Sequence, residues 1–289
     1  MKGHIYFMNQ SKNQVNPTFF TSLQEATGAI PYGMTNDYMF RAVLQSNNKV
    51  LCGLIRSLLH IDEDTPLTAE ITNPITLGES ISDKEFRLDI NVTVNNNTLL
   101  NLEMQVTNNL NWQNRSISYL CRSFTQINKG ENYSDINPAI HIGFLDYTLF
   151  KEKPEFYASY KIMNVKNHMI YSDNFDLRVV DLTQIHLATE EDKQYQLDYW
   201  ASLFKSKTWE ELKMTAEKNE YMQEASKTIF QLSADELVRK RCRDREEYYD
   251  DIRSYQHALA KQEQELKEKD SEIEHLRQKL IAAGIDPED

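Results

Sequence analysis

Residues 86–106 constrain the fold more than any other stretch, because two runs of strict apolar and polar alternation flank three consecutive asparagines. In residues 86–94, Phe86, Leu88, Ile90, Val92 and Val94 share one face, while Arg87, Asp89, Asn91 and Thr93 share the other. A period of two makes a one-sided apolar face only in an extended strand. In residues 98–106, Leu100, Leu102, Met104 and Val106 alternate with Asn101, Glu103 and Gln105. Asparagine tolerates the left-handed conformations of tight turns, so Asn95, Asn96 and Asn97 read as the loop of an antiparallel hairpin. A three-residue loop pairs Val94 with Thr98 and sets Asp89 opposite Glu103 and Arg87 opposite Gln105, with paired Cβ atoms about 4.5–5.5 Å apart. A two-residue loop would oppose apolar and polar positions, against the period of both strands.

The flanks extend this unit. Thr35 or Asn36 can cap a helix that turns Tyr38, Met39, Phe40, Val43 and Leu44 inward, and a second apolar helix covers residues 49–60. Residues 71–78 read as a strand interrupted by Pro74, which places it at an edge or a bend. Residues 112–128 form an amphipathic helix with Ile117, Leu120, Cys121, Phe124 and Ile127 on one side and Arg115, Tyr119, Arg122 and Gln126 on the other. An apolar strand follows at 139–147. The order helix, three strands, helix, strand implies an α/β core with the last strand beside the hairpin, and short strands at 168–171 and 177–182 extend the sheet. Beyond Glu190 the pattern is helical, through 194–205 and 209–220. From about Glu246, Ile252, Leu259, Leu266, Ile273 and Leu280 recur every seven residues, accompanied by Tyr255, Gln262, Lys269 and Leu276. This heptad seam predicts a coiled coil that pairs subunits into a homodimer.

Two carboxylates directly opposed on a sheet destabilise its pairing, so something should offset them. Mg2+ is a natural candidate, because it takes one or two carboxylates and completes its shell with water and phosphate oxygens. Such an ion polarises a phosphodiester and orients water. Gln105 shares the face and could place the water or contact phosphate. The same three residues also fit the solvent-facing side of an amphipathic sheet.

The formal net charge of −12 argues against a global basic field for nucleic acid and favours neutralisation by a divalent cation. No apolar run approaches the roughly 20 residues of a membrane span, and no secretory signal is legible, so the reading is a cytoplasmic protein with no membrane partner. Cys52, Cys121 and Cys242 have no metal-knuckle or disulfide spacing. A Gly-rich phosphate loop and the H-E-x-x-H and G-x-S-x-G sequences are absent, and His141, His168 and His186 read as isolated structural residues.

Four segments in order, TNDYMFRAVL, KEFRLDINV, LNLEMQV and NWQNRSISYLCRSF, resemble the PD-(D/E)XK nuclease superfamily, and more closely its Rpn-type branch of recombination-promoting nucleases or transposases. The resemblance spans about residues 34–245. It implies a restriction-endonuclease-like αβββαβ core with a mixed sheet and a magnesium-dependent endonuclease acting on DNA. Carried over by position, Asp89 and Glu103 are the metal-binding acids, and Gln105 stands where the superfamily usually has lysine. Glutamine carries no positive charge and cannot act as a general acid, although E-x-Q recurs in this branch. Asp37 matches an acidic position near the first helix, where it assists the metal or is simply a first-turn acid favoured by the helix dipole. Arg115, Tyr119 and Arg122 sit where a DNA backbone could be gripped, or else neutralise Glu103 or face solvent. The basic block at 239–245 can hold phosphate or pair with the acidic tail.

These readings divide the chain into a loosely ordered lead-in (1–33), a nuclease-like domain (34–189), a helical extension (190–245), a coiled coil (246–283) and a tail (284–289). A catalytically impaired DNA-binding or protein-interaction module on the same fold is the competing reading.

Overall fold

The computed structural model describes residues 20–77, 89–124, 132 and 136–283. Helix α1, Asp37–Ser46, starts where Asn36 accepts hydrogen bonds from the backbone N–H groups of Tyr38 and Met39. Asn47 ends α1 and caps α2, Asn48–Leu59, which stops at His60 in the left-handed conformation.

The hairpin forms in the expected register. Strand β2, Ile90–Val94, pairs antiparallel with β3, Thr98–Gln105, with Val94 opposite Thr98 and Ile90 opposite Leu102. Asn95 and Asn96 take positive φ values of 48° and 60°, which few other residues accept. One step beyond Ile90 the register brings Asp89 level with Glu103. The pairing of Arg87 with Gln105 and the run Phe86 to Leu88 lie outside the described residues.

Strand β1 is Ala69–Ile71, at the edge of the sheet. The expected strand at 71–78 is therefore displaced: the ladder with β2 ends at Ile71, before Pro74, which has no N–H to donate. β4, Ala139–Leu145, runs parallel to β3, and β6, Phe175–Asp181, runs parallel to β4. β5, Tyr157–Lys161, closes the far edge antiparallel to β6, giving the order β1-β2-β3-β4-β6-β5. β5 was not expected, and residues 168–171 are not a strand. His168 has φ 59°, and a single bridge joins Met163 to Ile170 there.

Helix α3, Trp112–Phe124, crosses from β3 to β4; residues 125–128 of the expected helix lie outside the described residues. The helical part comprises α4 (Glu190–Gln194), α5 (Leu197–Lys205), α6 (Trp209–Ala216), α7 (Glu220–Ala234) and α8 (Glu236–Ala282). The single helix expected at 194–205 is interrupted by Gln196, whose φ is 60°. Among the described residues no helix is long and apolar enough to cross a membrane. A mixed six-stranded sheet flanked by helices is the α/β, restriction-endonuclease-like architecture expected.

Both faces of the sheet are covered. Leu100, Leu102, Met104, Ile142, Phe144 and Val180 join the main core with α1, α2 and α5, where Phe40, Phe144 and Phe204 form a ring cluster with centroids 5.3–5.7 Å apart. Residues 20–33 join this core through Leu23, Ala26 and Ile30, and Ile30 N–H bonds Lys207 O at 2.8 Å. The opposite face is not the wet surface that its polar residues imply, because α3 lies on it. The buried side of α3 is Trp112, Ser116 and Leu120, whereas Ile117 and Cys121 are exposed, contrary to the expected apolar stripe. Trp112 packs with Leu145 and Val179 and rests on Gly143.

A Cβ at position 143 would stand 2.0 Å from Trp112 Cζ2. Gly143→Ala should therefore destabilise the protein by at least about 1–3 kcal/mol, through overpacking that moves either the indole or β4. Denaturant unfolding measures this; an unchanged midpoint would contradict the seating of α3 on the sheet.

Candidate active site

The polar face of the hairpin becomes a buried cluster because β4 runs parallel to β3 in a register that sets His141 beside Asn101 and Gly143 beside Glu103. Asn101 is the hub. Its Nδ2 donates to Asp89 Oδ2 at 2.9 Å and to Asn91 Oδ1 at 2.6 Å, while its Oδ1 lies 2.6 Å from His141 Nδ1. Asp89 is held from behind as well. Buried Arg41 of α1 donates to the Asp89 carbonyl, which also accepts from Asn73 Nδ2 at 3.0 Å.

Glu103 is 4 % exposed, and Arg115 reaches down from α3 to place Nη2 2.6 Å from Oε1. Arg115 thus serves as the local neutraliser of Glu103 in this arrangement. Tyr119 stacks on His141 with centroids 5.8 Å apart and lies between the guanidinium groups of Arg115 and Arg122, at 5.3 and 5.9 Å from its ring. Trp112 covers the His141 ring at 5.5 Å. Gln105 is buried too, and its Nε2 donates to Thr107 O at 2.7 Å.

Burial pushes the Glu103 carboxyl up to about 7, with Arg115 pulling it down and Asp89 and Asp37 raising it further. Burial, then the Arg115 charge, pushes His141 down to about 3, so the imidazole is neutral. Burial and then the Glu103 charge raise Tyr147, which remains a phenol.

Asp37 sits in the first turn of α1, 4 % exposed, and its partner comes from the far end of the chain. Arg245 Nε donates to both carboxylate oxygens at 3.0 and 3.1 Å, Arg245 Nη2 donates to Oδ2, and Tyr249 O–H donates to Oδ2 at 2.7 Å. The basic block is therefore divided in its work: Arg245 holds Asp37, Arg239 caps the last carbonyls of α7, and Arg241 pairs with Asp244. Farther along α8, Gln256 donates to Asn109 at 3.0 Å, and Arg253 lies 3.5 Å from Thr107 Oγ1. The loop after β3 is thus tied to the same helix.

Sequence reasoning joined Asp89 to Glu103 and put Arg115 and Tyr119 nearby. It missed Asn101 as the link, Arg41 as the support of Asp89, His141 as a neighbour of Glu103, and Arg245 with Tyr249 as the holders of Asp37. The detectable signal was the odd-position set Ala139, His141 and Gly143, small or polar where Ile140, Ile142 and Phe144 are large.

Two observations bear on a cation. Glu103 Oε2 and His141 Nε2 are buried without a hydrogen-bond partner, which native interiors rarely allow unless a ligand or water meets them. Among the described residues no three His, Cys, Asp or Glu side chains close on one point. An ion at these atoms would have few protein ligands, and water and phosphate would have to complete its shell.

The raised Glu103 carboxyl has a consequence for the metal-free protein. Between its ordinary value of 4.5 and about 7 the unfolded chain loses this proton while the folded chain keeps it, so stability falls as pH rises through that window. The contribution is of order 3 kcal/mol, at 1.36 kcal/mol per unit. Glu103→Gln should remove this part of the slope, read as the difference between wild-type and variant unfolding free energies from pH 4 to 8; parallel curves would contradict it.

No curated protein and no solved structure matches the chain. A family model described as PD-(D/E)XK nuclease family transposase matches residues 34–258, a span that opens just before Asp37 and closes just beyond Gln256. It thus contains every side chain of the cluster, and the chain belongs to the PD-(D/E)XK nuclease family of transposases.

Proposed function

We propose that the protein is a Mg2+-dependent DNA endonuclease of the cytoplasm that hydrolyses phosphodiesters, in the service of recombination or mobile-element movement. The observation that carries this reading is the cluster in which Asn101 holds half-buried Asp89, Arg115 holds buried Glu103, and Glu103 Oε2 remains without a hydrogen-bond partner. Family membership supports a nuclease-like activity. Free cysteines suit a reducing compartment.

In this reading Asp89 and Glu103 hold the ion. When bound, it supplies charge for the phosphate and a more acidic water. Asn101 and Arg41 fix Asp89, by its carboxylate and its carbonyl respectively. Arg115 offsets the charge of Glu103 before substrate arrives and is half-exposed enough to meet a phosphate oxygen. Tyr119 and Arg122 continue that side of α3 and are assigned to the DNA backbone. Asp37, paired with Arg245, braces the site from α1. Gln105 must leave Thr107 O to position a reactant.

That last contact favours a second reading, an impaired nuclease-fold module that binds DNA or protein without cutting, because the residue in the lysine position is engaged elsewhere. The two separate in one assay. Purified protein with Mg2+ should nick plasmid DNA, and Asp89→Ala or Glu103→Ala should lower the rate by 100-fold or more, on the order of the loss of a main electrostatic contributor. Full activity in both variants would eliminate the proposed mechanism, and salt-sensitive DNA binding without cleavage under any divalent cation would favour the module.

We also assign α8 to pairing of two copies. Tyr255, Leu259, Leu266, Ile273, Leu276 and Leu280 are exposed along its distal part, a heptad stripe that a second helix would cover. Light scattering at micromolar concentration should give a dimer, and Leu266→Glu with Ile273→Glu should give a monomer that remains folded. A monomeric wild type would refute the pairing.

A further inference from the structure

His141 is a buried titratable group that the proposed reaction does not use, and the hydrogen-bond chain dictates what it presents to Glu103. Asn101 Nδ2 donates to Asp89 Oδ2 and Asn91 Oδ1. A carboxylate oxygen accepts and does not donate, so the amide orientation is set, and Asn101 Oδ1 is the atom facing His141 Nδ1 at 2.6 Å. Nδ1 therefore carries the proton. In a neutral imidazole the other nitrogen then presents a lone pair, and here Nε2 lies 3.9 Å from Glu103 Oε2. His141 is fully buried, neither atom has a hydrogen-bond partner, and Arg115 is engaged on the other carboxylate oxygen. With Glu103 ionised, two acceptors face each other away from water and repel unless something electropositive joins them. Trp112 and Tyr119 hold the ring in that orientation.

We propose that Glu103 Oε2 and His141 Nε2 form a mixed oxygen and nitrogen subsite for a divalent transition-metal ion, so that the protein binds Mn2+ in preference to Mg2+. The inference rests on the reading of Glu103 as a metal ligand and adds His141 as its second donor. Mg2+ is held by oxygen, whereas an imidazole nitrogen adds affinity for first-row transition ions. The Nδ1–H to Asn101 Oδ1 contact is the outer partner that orients metal-binding histidines and sets their tautomer. No third His, Cys, Asp or Glu of the described residues joins the pair on a common point. Because both donor atoms are buried, an entering ion would have to bring in the water or phosphate oxygens that complete its shell, and Mg2+ could still use the carboxylates alone.

The test titrates Mn2+ and Mg2+ into the full-length protein without DNA, reading affinity by calorimetry and the Mn2+ environment by pulsed electron paramagnetic resonance. Mn2+ should bind at least about tenfold more tightly than Mg2+ and show coupling to nitrogen. His141→Gln should abolish the coupling and weaken Mn2+ by about tenfold or more, with little change for Mg2+. Equal affinities overturn the preference. Bound Mn2+ that shows no nitrogen coupling, yet is lost in Glu103→Gln, overturns the His141 subsite and leaves the carboxylate site standing. Absence of saturable binding of either ion overturns both. If His141→Gln does not fold, histidine labelled with 15N in the unsubstituted protein decides: a shifted coupling supports the subsite, and an unshifted one overturns it.

Discussion

A carboxylate withdrawn from water is tolerated only with an opposite charge or donors beside it, and Glu103 imposes that demand on the middle of the sheet. Arg115 answers it from α3. For its guanidinium to reach Oε1, α3 must lie flat across β3 and β4, and Trp112, one turn earlier, finds room to do so over Gly143, the register partner of Glu103. Once α3 covers this face, Asn101 and His141 lose water and bond each other, with Asp89 as the next link. The aromatic cluster on the opposite face supplies the apolar burial that holds the layers together.

The parts of this arrangement that sequence could reveal are those with short-range causes. Alternation and the asparagine turn gave the hairpin and its register, and hence the proximity of Asp89 and Glu103, because a strand period of two and a three-residue loop admit one pairing. Asn36, offered with Thr35 as a cap, marked the start of the first helix. β5 escaped because its sequence, YASYK, buries little beyond Ala158, so edge position replaces apolar pattern as the reason it is a strand. The burial of Asn101, Glu103 and Gln105 escaped for a different reason. A polar strand face looks the same in sequence whether water or a helix with a matching arginine covers it. His141 was hidden inside an apolar run, and only the parallel pairing of β4 with β3 reveals its neighbour. The Asp37 to Arg245 pair joins residues 208 positions apart, where no local pattern operates.

Helix α8 connects two levels of organisation that read as separate in sequence. Its first turns carry Val238 and Cys242 into the core, and Arg245 and Tyr249 meet Asp37. The next turns meet the loop after β3 through Arg253 and Gln256. Beyond these contacts the same continuous helix exposes its heptad stripe. No break in the helix separates that distal part from the wall of the acid cluster.

The charges around Glu103 explain why glutamine at position 105 matters beyond its lost proton chemistry. Asp37 is matched by Arg245, while among the described residues Arg115 pairs with Glu103 and Arg41 lies against Asp89. A lysine at position 105 would offset the second carboxylate; glutamine does not, and its amide is spent on a backbone carbonyl. Burial first, with Asp89 and Asp37 adding to it against Arg115, lifts Glu103 to about 7, so that near neutral pH the carboxyl stands between its two charge states. A group poised in this way has its charge decided by what binds beside it, and a cation favours the ionised form that the empty fold resists. The strain that the protein carries at Glu103 is therefore the same quantity that a divalent ion would relieve, which ties the cost of the buried acid to the function proposed for it.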